Sequence, residues 1–349
     1  MKELVIGDLI AKIPIIQGGM GVGVSLHKLA GAVAKEGGIG VISAAQPGFR
    51  EPDFYANTFE ANMRALEREI KLAKEISNNG IIGVNIMVAV THYEDFVKCC
   101  INSGADLIIS GAGLPLDLPK YAQNSDIKLA PIVSSAKACK VILSRWLKKY
   151  DRLADLIIIE GPNAGGHLGF KAEEVESIDN FDDEIIKILQ AKKEFEEKAG
   201  RTIPVVFGGG IFNKEDVDHY INEVGVDGVQ IATRFVATKE CDADDAFKEA
   251  YINSTKDDVV IVKSPVGMPG RALNNKFIKE IVPQGCTVKR CFKCLVHCNP
   301  ADIPYCISKA LFNGANGDVD NALIFCGANA YKIDKLSTVK EIIQELTQN

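Results

Sequence analysis

A short apolar segment, a glycine or small-residue turn and then a helical pattern recur eight times within the first 235 residues of the chain. Each apolar segment lacks a polar face, which is typical of parallel strands buried beneath helices. Eight alternating units of this kind fit the α/β class and a (β/α)8 TIM barrel better than an open doubly wound sheet. The predicted strands are 13–17, 38–43, 81–87, 106–110, 128–133, 155–160, 204–207 and 228–231.

Two departures from this even spacing suggest the organisation of the chain. Residues 171–200 contain an acidic insertion and a charged helix at 182–199, and the chain continues for more than a hundred residues after the eighth unit. We predict a barrel over residues 1–275 with the charged helix inserted near 171–200, and a helical, cysteine-rich extension over residues 276–349 that packs on it. The other predicted helices are 25–36, 59–78, 92–103, 136–149, 214–224 and 243–252.

Charge and hydropathy exclude several classes of function. The formal net charge of -6 and the pI near 5.6 argue against a basic nucleic-acid-binding face. No segment approaches the roughly 18 consecutive apolar residues that a membrane span requires. The first residues lack the cleavage site of a signal peptide, so the ten cysteines are expected to be reduced in the cytoplasm. We also expect a small-molecule substrate and a homo-oligomer.

Glycine-rich turns follow several of the predicted strands, at the barrel end where active sites lie. They cover residues 17–21, 110–113, 161–167 and 208–210, and a further turn at 232–234 follows the eighth strand. Loops after the seventh and eighth strands commonly hold a phosphate through backbone N–H groups. Residues 208–210 could instead form only a tight turn, but their pairing with Thr233 in the last loop favours a phosphate site.

His167 is the candidate catalytic residue, because it follows the sixth predicted strand and has glycines beside it that leave room for a substrate. An imidazole titrates near neutral pH and can serve as a general base. His27 is expected to be structural, and His92, His219 and His297 are weaker candidates.

Six ordered motifs carry a family resemblance. They are IPIIQGGMG (13–21), GVNIMV (83–88), IIIEGPNAGGHLGF (157–170), IPVVFGGGI (203–211), DGVQIATRF (227–235) and SPVGMPGRA (264–272). Together they resemble the flavin-dependent nitronate monooxygenase family, formerly called 2-nitropropane dioxygenases. The flavin-containing enoyl-acyl-carrier-protein reductases are close relatives that share the motifs. The resemblance covers residues 5–275, with a weaker similarity at 320–345.

The resemblance implies a barrel that binds FMN non-covalently, with the flavin performing electron transfer and meeting oxygen. His167 matches the family histidine that lies over the flavin near the substrate. The implied cofactor-binding residues are Gly18, Gly19, Met20 and Asn85 at the isoalloxazine ring, Glu160, Gly165 and Gly166 along the sixth strand end, and Gly209, Gly210, Ala232 and Thr233 at the phosphate.

The chain departs from the family pattern at three places. Ala232 stands where the family usually has glycine, and Pro162 and Asn163 alter the pattern EGxEAGGH. Residues 134–136 lack the basic residue that some nitronate monooxygenases have after the fifth strand. This last departure favours the reductase branch.

A cysteine cluster between residues 286 and 306 is not explained by the family motifs. Cys286, Cys291, Cys294 and Cys298 are candidate metal ligands, because closely spaced thiols can converge on one metal ion. The spacing is similar to iron–sulfur ligation, although it does not match that of ferredoxins. Zinc held by thiolates, with or without His297, and free thiols in a cap over the active site are the alternatives.

These observations predict an FMN-dependent monooxygenase that oxidises alkyl nitronates with O2 to a carbonyl compound and nitrite. The first alternative is NAD(P)H-dependent reduction of an activated alkene such as an enoyl thioester, with acyl-carrier protein as a partner. Nicotinamide would then have to bind over the flavin, because the sequence has no separate Rossmann fingerprint. The second alternative is a flavin or thiol redox sensor in which Cys291 and Cys294 change state.

Overall fold

The computed structural model describes residues 1–175, 177–178 and 180–348. The strands are β1 (Leu4–Ile6), β2 (Leu9–Ala11), β3 (Ile15–Gln17), β4 (Gly40–Ser43), β5 (Ile82–Met87), β6 (Leu107–Gly111), β7 (Lys128–Val133), β8 (Ile157–Glu160), β9 (Gly166–His167), β10 (Val205–Gly208), β11 (Gly228–Ile231), β12 (Val259–Lys263) and β13 (Pro269–Leu273). The α-helices are α1 (His27–Lys35), α2 (Thr58–Ser77), α3 (Tyr93–Asn102), α4 (Leu118–Tyr121), α5 (Ala136–Tyr150), α6 (Ala172–Val175), α7 (Asp182–Ala199), α8 (Lys214–Asp218), α9 (Thr233–Val236), α10 (Asp245–Ile252), α11 (Val282–Gln284), α12 (Ile307–Ala315) and α13 (Val339–Thr347).

Within these residues, eight strands form a parallel sheet in the order β3-β11-β10-β8-β7-β6-β5-β4. A parallel bridge between Ile16 and Ile39 joins β3 to the chain entering β4 and so completes the ring. The Gln17 N–H donates to the Ile39 carbonyl, and the Ile39 N–H donates to the Ile15 carbonyl, both over 2.9 Å. The eight predicted strands and the (β/α)8 TIM barrel are therefore confirmed.

The barrel interior is filled at the amino ends of the strands. The antiparallel hairpin β1–β2 buries Leu4, Ile6 and Ala11 in one cluster with inward-facing strand residues such as Ile109 and Ile158. A second and larger cluster lies between the outer strand faces and the helices. Because the hairpin occupies the amino end, a large ligand can enter only at the carboxyl ends of the strands.

Helix α13 occupies the last place in the ring of barrel helices, since it packs against both α1 and α8. Its apolar face buries Val339, Ile342, Ile343 and Leu346. The predicted division at residue 275 stays a prediction, but α13 belongs to the barrel layer. Residues 237–338 are thus inserted between the eighth barrel strand with its short α9 and the helix that completes the ring.

A small antiparallel sheet connects this insertion to the barrel. Strand β13 pairs on one side with β12 and on the other with β9, which follows the sixth barrel strand. The predicted helices are found, including the charged helix at Asp182–Ala199, although the pattern at 214–224 divides into α8 and a π-helical turn at His219–Val224. In the described part of the chain, no helix has both the length and the apolar character needed to cross a bilayer.

Short helices complete the insertion. A second π-helical turn covers Phe277–Ile281, and 3-10 turns cover Lys256–Asp258, Val319–Asn321 and Ala330–Lys332. The polypeptide between α11 and α12 follows an irregular path, and Leu295 forms an isolated antiparallel bridge with Val90 after β5. The insertion therefore lies across the carboxyl ends of the barrel strands.

Candidate active site

A cavity of about 920 Å³ opens at the carboxyl ends of the barrel strands. The structure places all of the predicted catalytic and cofactor-binding residues at its wall. They are His167, Gly18, Gly19, Met20, Asn85, Glu160, Gly165, Gly166, Gly209, Gly210, Ala232 and Thr233.

His167 is held at the cavity wall by the small antiparallel sheet. It lies on β9 and pairs with Gly270 on β13. Its Nε2 lies 2.7 Å from the Oγ of buried Ser264, and its ring meets that of Phe325 edge-on at a centroid distance of 4.9 Å. These contacts leave the ring little freedom to rotate. Ser264 opens the SPVGMPGRA motif but was not predicted as a site residue, because it is distant from His167 in sequence.

Burial determines the charge of the His167 ring. It lowers the pKa of the imidazole from 6.5 to about 4. The ring is therefore uncharged at neutral pH and can accept a proton. Because Ser264 occupies Nε2, Nδ1 is the ring nitrogen left for a substrate.

Glu160 lies at the end of β8 and has an unusual protonation equilibrium for a carboxyl group. Its Oε2 accepts a hydrogen bond of 3.1 Å from the Gly169 N–H. Burial nevertheless raises the pKa of Glu160 to about 7. A carboxyl group with a pKa near 7 gains and loses its proton near neutral pH, which is the range useful for acid–base catalysis. The sequence resemblance assigned this residue only to the cofactor.

The predicted glycines make close approaches that a side chain would prevent. A Cβ atom on Gly19 would lie 2.5 Å from the Cβ of Asn85, so the ends of the first and third barrel strands touch at this point. Gly209 and Gly210 have φ angles of +145° and +88°, and a Cβ atom on Gly210 would lie 2.9 Å from the Cβ of Asn163. Glycine is therefore required in the turn after the seventh strand.

The two predicted phosphate loops are joined by a segment that the sequence analysis missed. Thr233 Oγ1 accepts a hydrogen bond of 3.0 Å from the Gly327 N–H. The Asn329 Nδ2 donates to the Gly210 carbonyl over 2.5 Å. Residues 327–329 thus fix the two loops relative to each other. Only the weak sequence similarity at 320–345 pointed to this part of the chain.

Gln230 is a second residue that the sequence analysis missed. It lies on β11 and lines the cavity, and a Cβ atom on Gly18 would be 3.3 Å from its Cγ. Its buried Oε1 has no hydrogen-bond partner among the described residues. Buried polar atoms are nearly always paired, so this acceptor fits a ligand that brings an N–H or O–H donor.

The four predicted metal ligands are not assembled. Among the residues that the structure describes, no group of three or more His, Cys, Asp or Glu side chains is placed to hold a metal ion. Cys291 and Cys294 line the large cavity, whereas Cys286 lines a separate shallow opening and Cys298 lines neither. Cys286 is therefore set apart from the other three, whereas burial and then the nearby Cys291 and Cys306 thiols raise the pKa of Cys298. The structure does not support the metal site, which stays a prediction from spacing.

The sequence matches the profile of the family described as "Nitronate monooxygenase" over residues 2–349. The chain belongs to the nitronate monooxygenase family. Within this family, it is 27% identical over 307 residues to a Staphylococcus aureus (strain Newman) protein described as "Probable nitronate monooxygenase", with 77% of each chain covered. Membership of the nitronate monooxygenase family identifies the protein as an oxidoreductase.

Solved structures extend the comparison. FabK from Thermotoga maritima is 25% identical with a TM-score of 0.71, and the match covers 96% of this chain and 91% of that one. A nitroalkane oxidase from Streptomyces ansochromogenes is 18% identical with a TM-score of 0.71, covering 96% and 94% of the two chains. The second likeness concerns the fold alone. The nitronate monooxygenase family and FabK thus share this barrel.

Proposed function

We propose that this member of the nitronate monooxygenase family binds FMN in the cavity and oxidises alkyl nitronates with O2 to a carbonyl compound and nitrite. The observation that carries the proposal is that His167 and the glycine turns after the first, sixth and seventh barrel strands line one cavity. Family membership supports the flavin, and the motifs around His167 support its role near the substrate.

The residues at the cavity wall fit FMN. Gly18 and Gly19 line the cavity where the isoalloxazine ring is expected, and the unpaired Oε1 of Gln230 offers an acceptor to a donor on the cofactor. Gly209, Gly210 and Thr233 would hold the phosphate through N–H and hydroxyl groups. When bound, the flavin supplies the transfer of electrons from substrate to oxygen.

The protein's own groups would bind and orient the substrate. The uncharged His167 ring can take the α-proton of a neutral nitroalkane at Nδ1 or hydrogen-bond to a nitronate oxygen, and Ser264 holds the ring in place. The Glu160 carboxyl, with its pKa of about 7, can hold or release a proton at the same cavity wall. The apolar ring of Phe325 meets His167 edge-on at the cavity wall.

The test is nitrite release from a nitronate and from the corresponding neutral nitroalkane by the purified protein and by two histidine variants. With the neutral nitroalkane, His167→Ala should retain flavin but lose about 10²- to 10⁴-fold in turnover, which is the usual contribution of a general base. His92 also lines the cavity, but its side chain is 51% exposed, so His92→Ala should retain turnover. Full activity of His167→Ala, or an equal loss in both variants, would contradict the role of His167.

A reductase of activated alkenes is the second candidate, because of the size of the cavity. Ligand pockets generally measure about 300–1,000 Å³. At about 920 Å³, this cavity lies at the upper end of that range, which leaves space for a second molecule beside a bound cofactor. NAD(P)H would be the reductant and an enoyl thioester the acceptor, with acyl-carrier protein as the partner. NADH oxidation that depends on an enoyl thioester would establish this activity.

A further inference from the structure

Residues 286–298, which we call the rim segment, cross one side of the cavity mouth. The Thr91 N–H donates to the Cys294 carbonyl over 3.1 Å, and the Val296 N–H donates to the Ala89 carbonyl over 3.0 Å. Phe292 is buried and stacks on Phe54 at a centroid distance of 5.5 Å. The rim segment is thus fixed on the loop that follows β5.

The rim segment is basic within an acidic protein. Residues 281–301 contain Lys289, Arg290, Lys293 and His297 but no Asp or Glu, whereas the whole chain has a net charge of -6. Among the described residues that line the cavity, the Lys and Arg side chains are those of Arg290 and Lys293. In the same part of the chain, neither forms an ion pair within 4.0 Å. A charged rim of one sign attracts ligands of the opposite sign.

Local contacts restrain both cations. The Arg290 guanidinium lies 5.2 Å from the centroid of the Tyr55 ring, within the range of a cation–π interaction. Lys293 adopts a left-handed φ of +49°, and its N–H donates to the Cys291 Sγ over 3.3 Å. Non-glycine residues rarely adopt this conformation, so Lys293 lies in a defined turn at the rim.

The topology separates these cations from the predicted cofactor phosphate. The rim segment lies on the loop after β5, which is the third strand of the ring, whereas Gly209 and Gly210 follow β10, the seventh. The third and seventh places in a ring of eight strands face each other across the mouth. Arg290 and Lys293 are therefore available to a second anionic group.

A small nitronate does not account for the rim cations. Its charge lies on the group that reacts, and this group must reach the His167 ring at the cavity wall rather than the exposed rim. Arg290 and Lys293 can therefore serve only an anionic group that lies at a distance from the reacting atoms. Two cations three positions apart on one segment match a group with more than one negative charge, and guanidinium and ammonium both bind phosphate well.

We propose that the cavity accepts an elongated second substrate that carries a phosphate ester or diphosphate, and that Arg290 and Lys293 bind this phosphate. The inference rests on the proposed FMN site, because the reacting end of the substrate must reach the cofactor. A reduced nicotinamide nucleotide and a phosphopantetheine thioester share this chemistry. Binding energy at the remote phosphate would position the reacting end near His167.

The test is calorimetric binding to the FMN-loaded protein under anaerobic conditions. The probes are NADH, NADPH and crotonyl-coenzyme A, each compared with a phosphate-free counterpart, namely reduced nicotinamide riboside or crotonyl-pantetheine. Arg290→Ala and Lys293→Ala should each raise the Kd of a phosphate-bearing probe about tenfold, as expected for loss of one charged hydrogen bond. The Kd of the phosphate-free counterpart should not change.

Lys289→Ala is the matched control, because Lys289 has the same charge on the same segment but does not line the cavity. It should bind every probe like the unmodified protein. Binding of nicotinamide nucleotides alone, or of the thioester alone, would identify the source of the phosphate and support the proposal. An equal loss in Lys289→Ala, no loss in the other two variants, or no binding of any phosphate-bearing probe would overturn it. Absence of flavin absorbance would instead remove the proposed FMN site.

Discussion

Replacement of Gly210 by alanine tests the placement of the cofactor phosphate. Gly210 lines the cavity with a φ of +88°, and a Cβ atom there would lie 2.9 Å from the Cβ of Asn163. Asn163 belongs to the turn that also contains Gly165 and Gly166. The substitution should therefore displace the two turns that are expected to surround the cofactor.

Two contributions lower stability, and a third lowers the affinity for FMN. An L-residue in the left-handed region costs roughly 1–2 kcal/mol, and an overpacked contact costs about 1–3 kcal/mol more. A turn that moves away from the phosphate loses a charged hydrogen bond worth about 1.5–3 kcal/mol. This loss corresponds to an increase in the Kd for FMN of roughly 10- to 100-fold.

The assay is fluorescence titration of the flavin-free protein with FMN, together with thermal unfolding. Gly225→Ala is the matched control, because Gly225 has a φ of +92° and an added Cβ would meet no described atom within 4 Å. It should lower stability through the same backbone cost while binding FMN normally. Unchanged FMN affinity in Gly210→Ala, or an equal loss in Gly225→Ala, would refute the reasoning.

Three further predictions concern the groups at the cavity. Ser264→Ala should retain flavin but lower kcat about tenfold, on the scale of one lost hydrogen bond, and Ser264→Thr should restore part of the rate. Glu160→Gln should remove a transition near pH 7 from the pH profile of kcat/KM, because burial raises the pKa of Glu160 to about 7. The pKa of His167 falls from 6.5 to about 4 on folding, because burial disfavours the charged ring. The stabilising contribution of the uncharged ring is therefore complete above pH 6.5 and is lost as the pH falls towards 4. Urea unfolding of His167→Gln should accordingly show a smaller loss of stability over that range, and an identical loss would contradict the burial of an uncharged ring.

The cysteine cluster requires its own measurement, because spacing predicts a metal and the structure does not assemble one. Iron, acid-labile sulfide and zinc should be determined in protein purified without oxygen. A stoichiometric metal that is lost in Cys291→Ser would establish the spacing-based prediction. Flavin-loaded protein with none of these elements would remove it.

The barrel could be predicted from the sequence because its determinants are local. An apolar run of four to six residues followed by glycine indicates a buried strand and its turn, and the predicted bounds of β7 and β11 match the structure. The glycine turns were placed correctly for the same reason. Parallel strands bring their carboxyl ends to one edge, so the strand order alone gathers these turns around a cavity.

The remaining features depend on contacts between distant parts of the chain. Ser264 meets His167 only because β13 pairs with β9, and no local pattern specifies that pairing. The pKa of Glu160 depends on burial by the surrounding loops. The place of α13 in the helix ring was missed because about a hundred inserted residues separate it from the last barrel strand.

The central claim is that the cavity holds a flavin which oxidises nitronates. The most direct measurement is the visible absorbance of the purified protein when a nitronate is added without oxygen. We expect bound FMN whose absorbance bleaches on addition of the nitronate, followed by nitrite formation when oxygen is admitted. Flavin that stays oxidised with the nitronate, or protein that binds no flavin, would contradict the account.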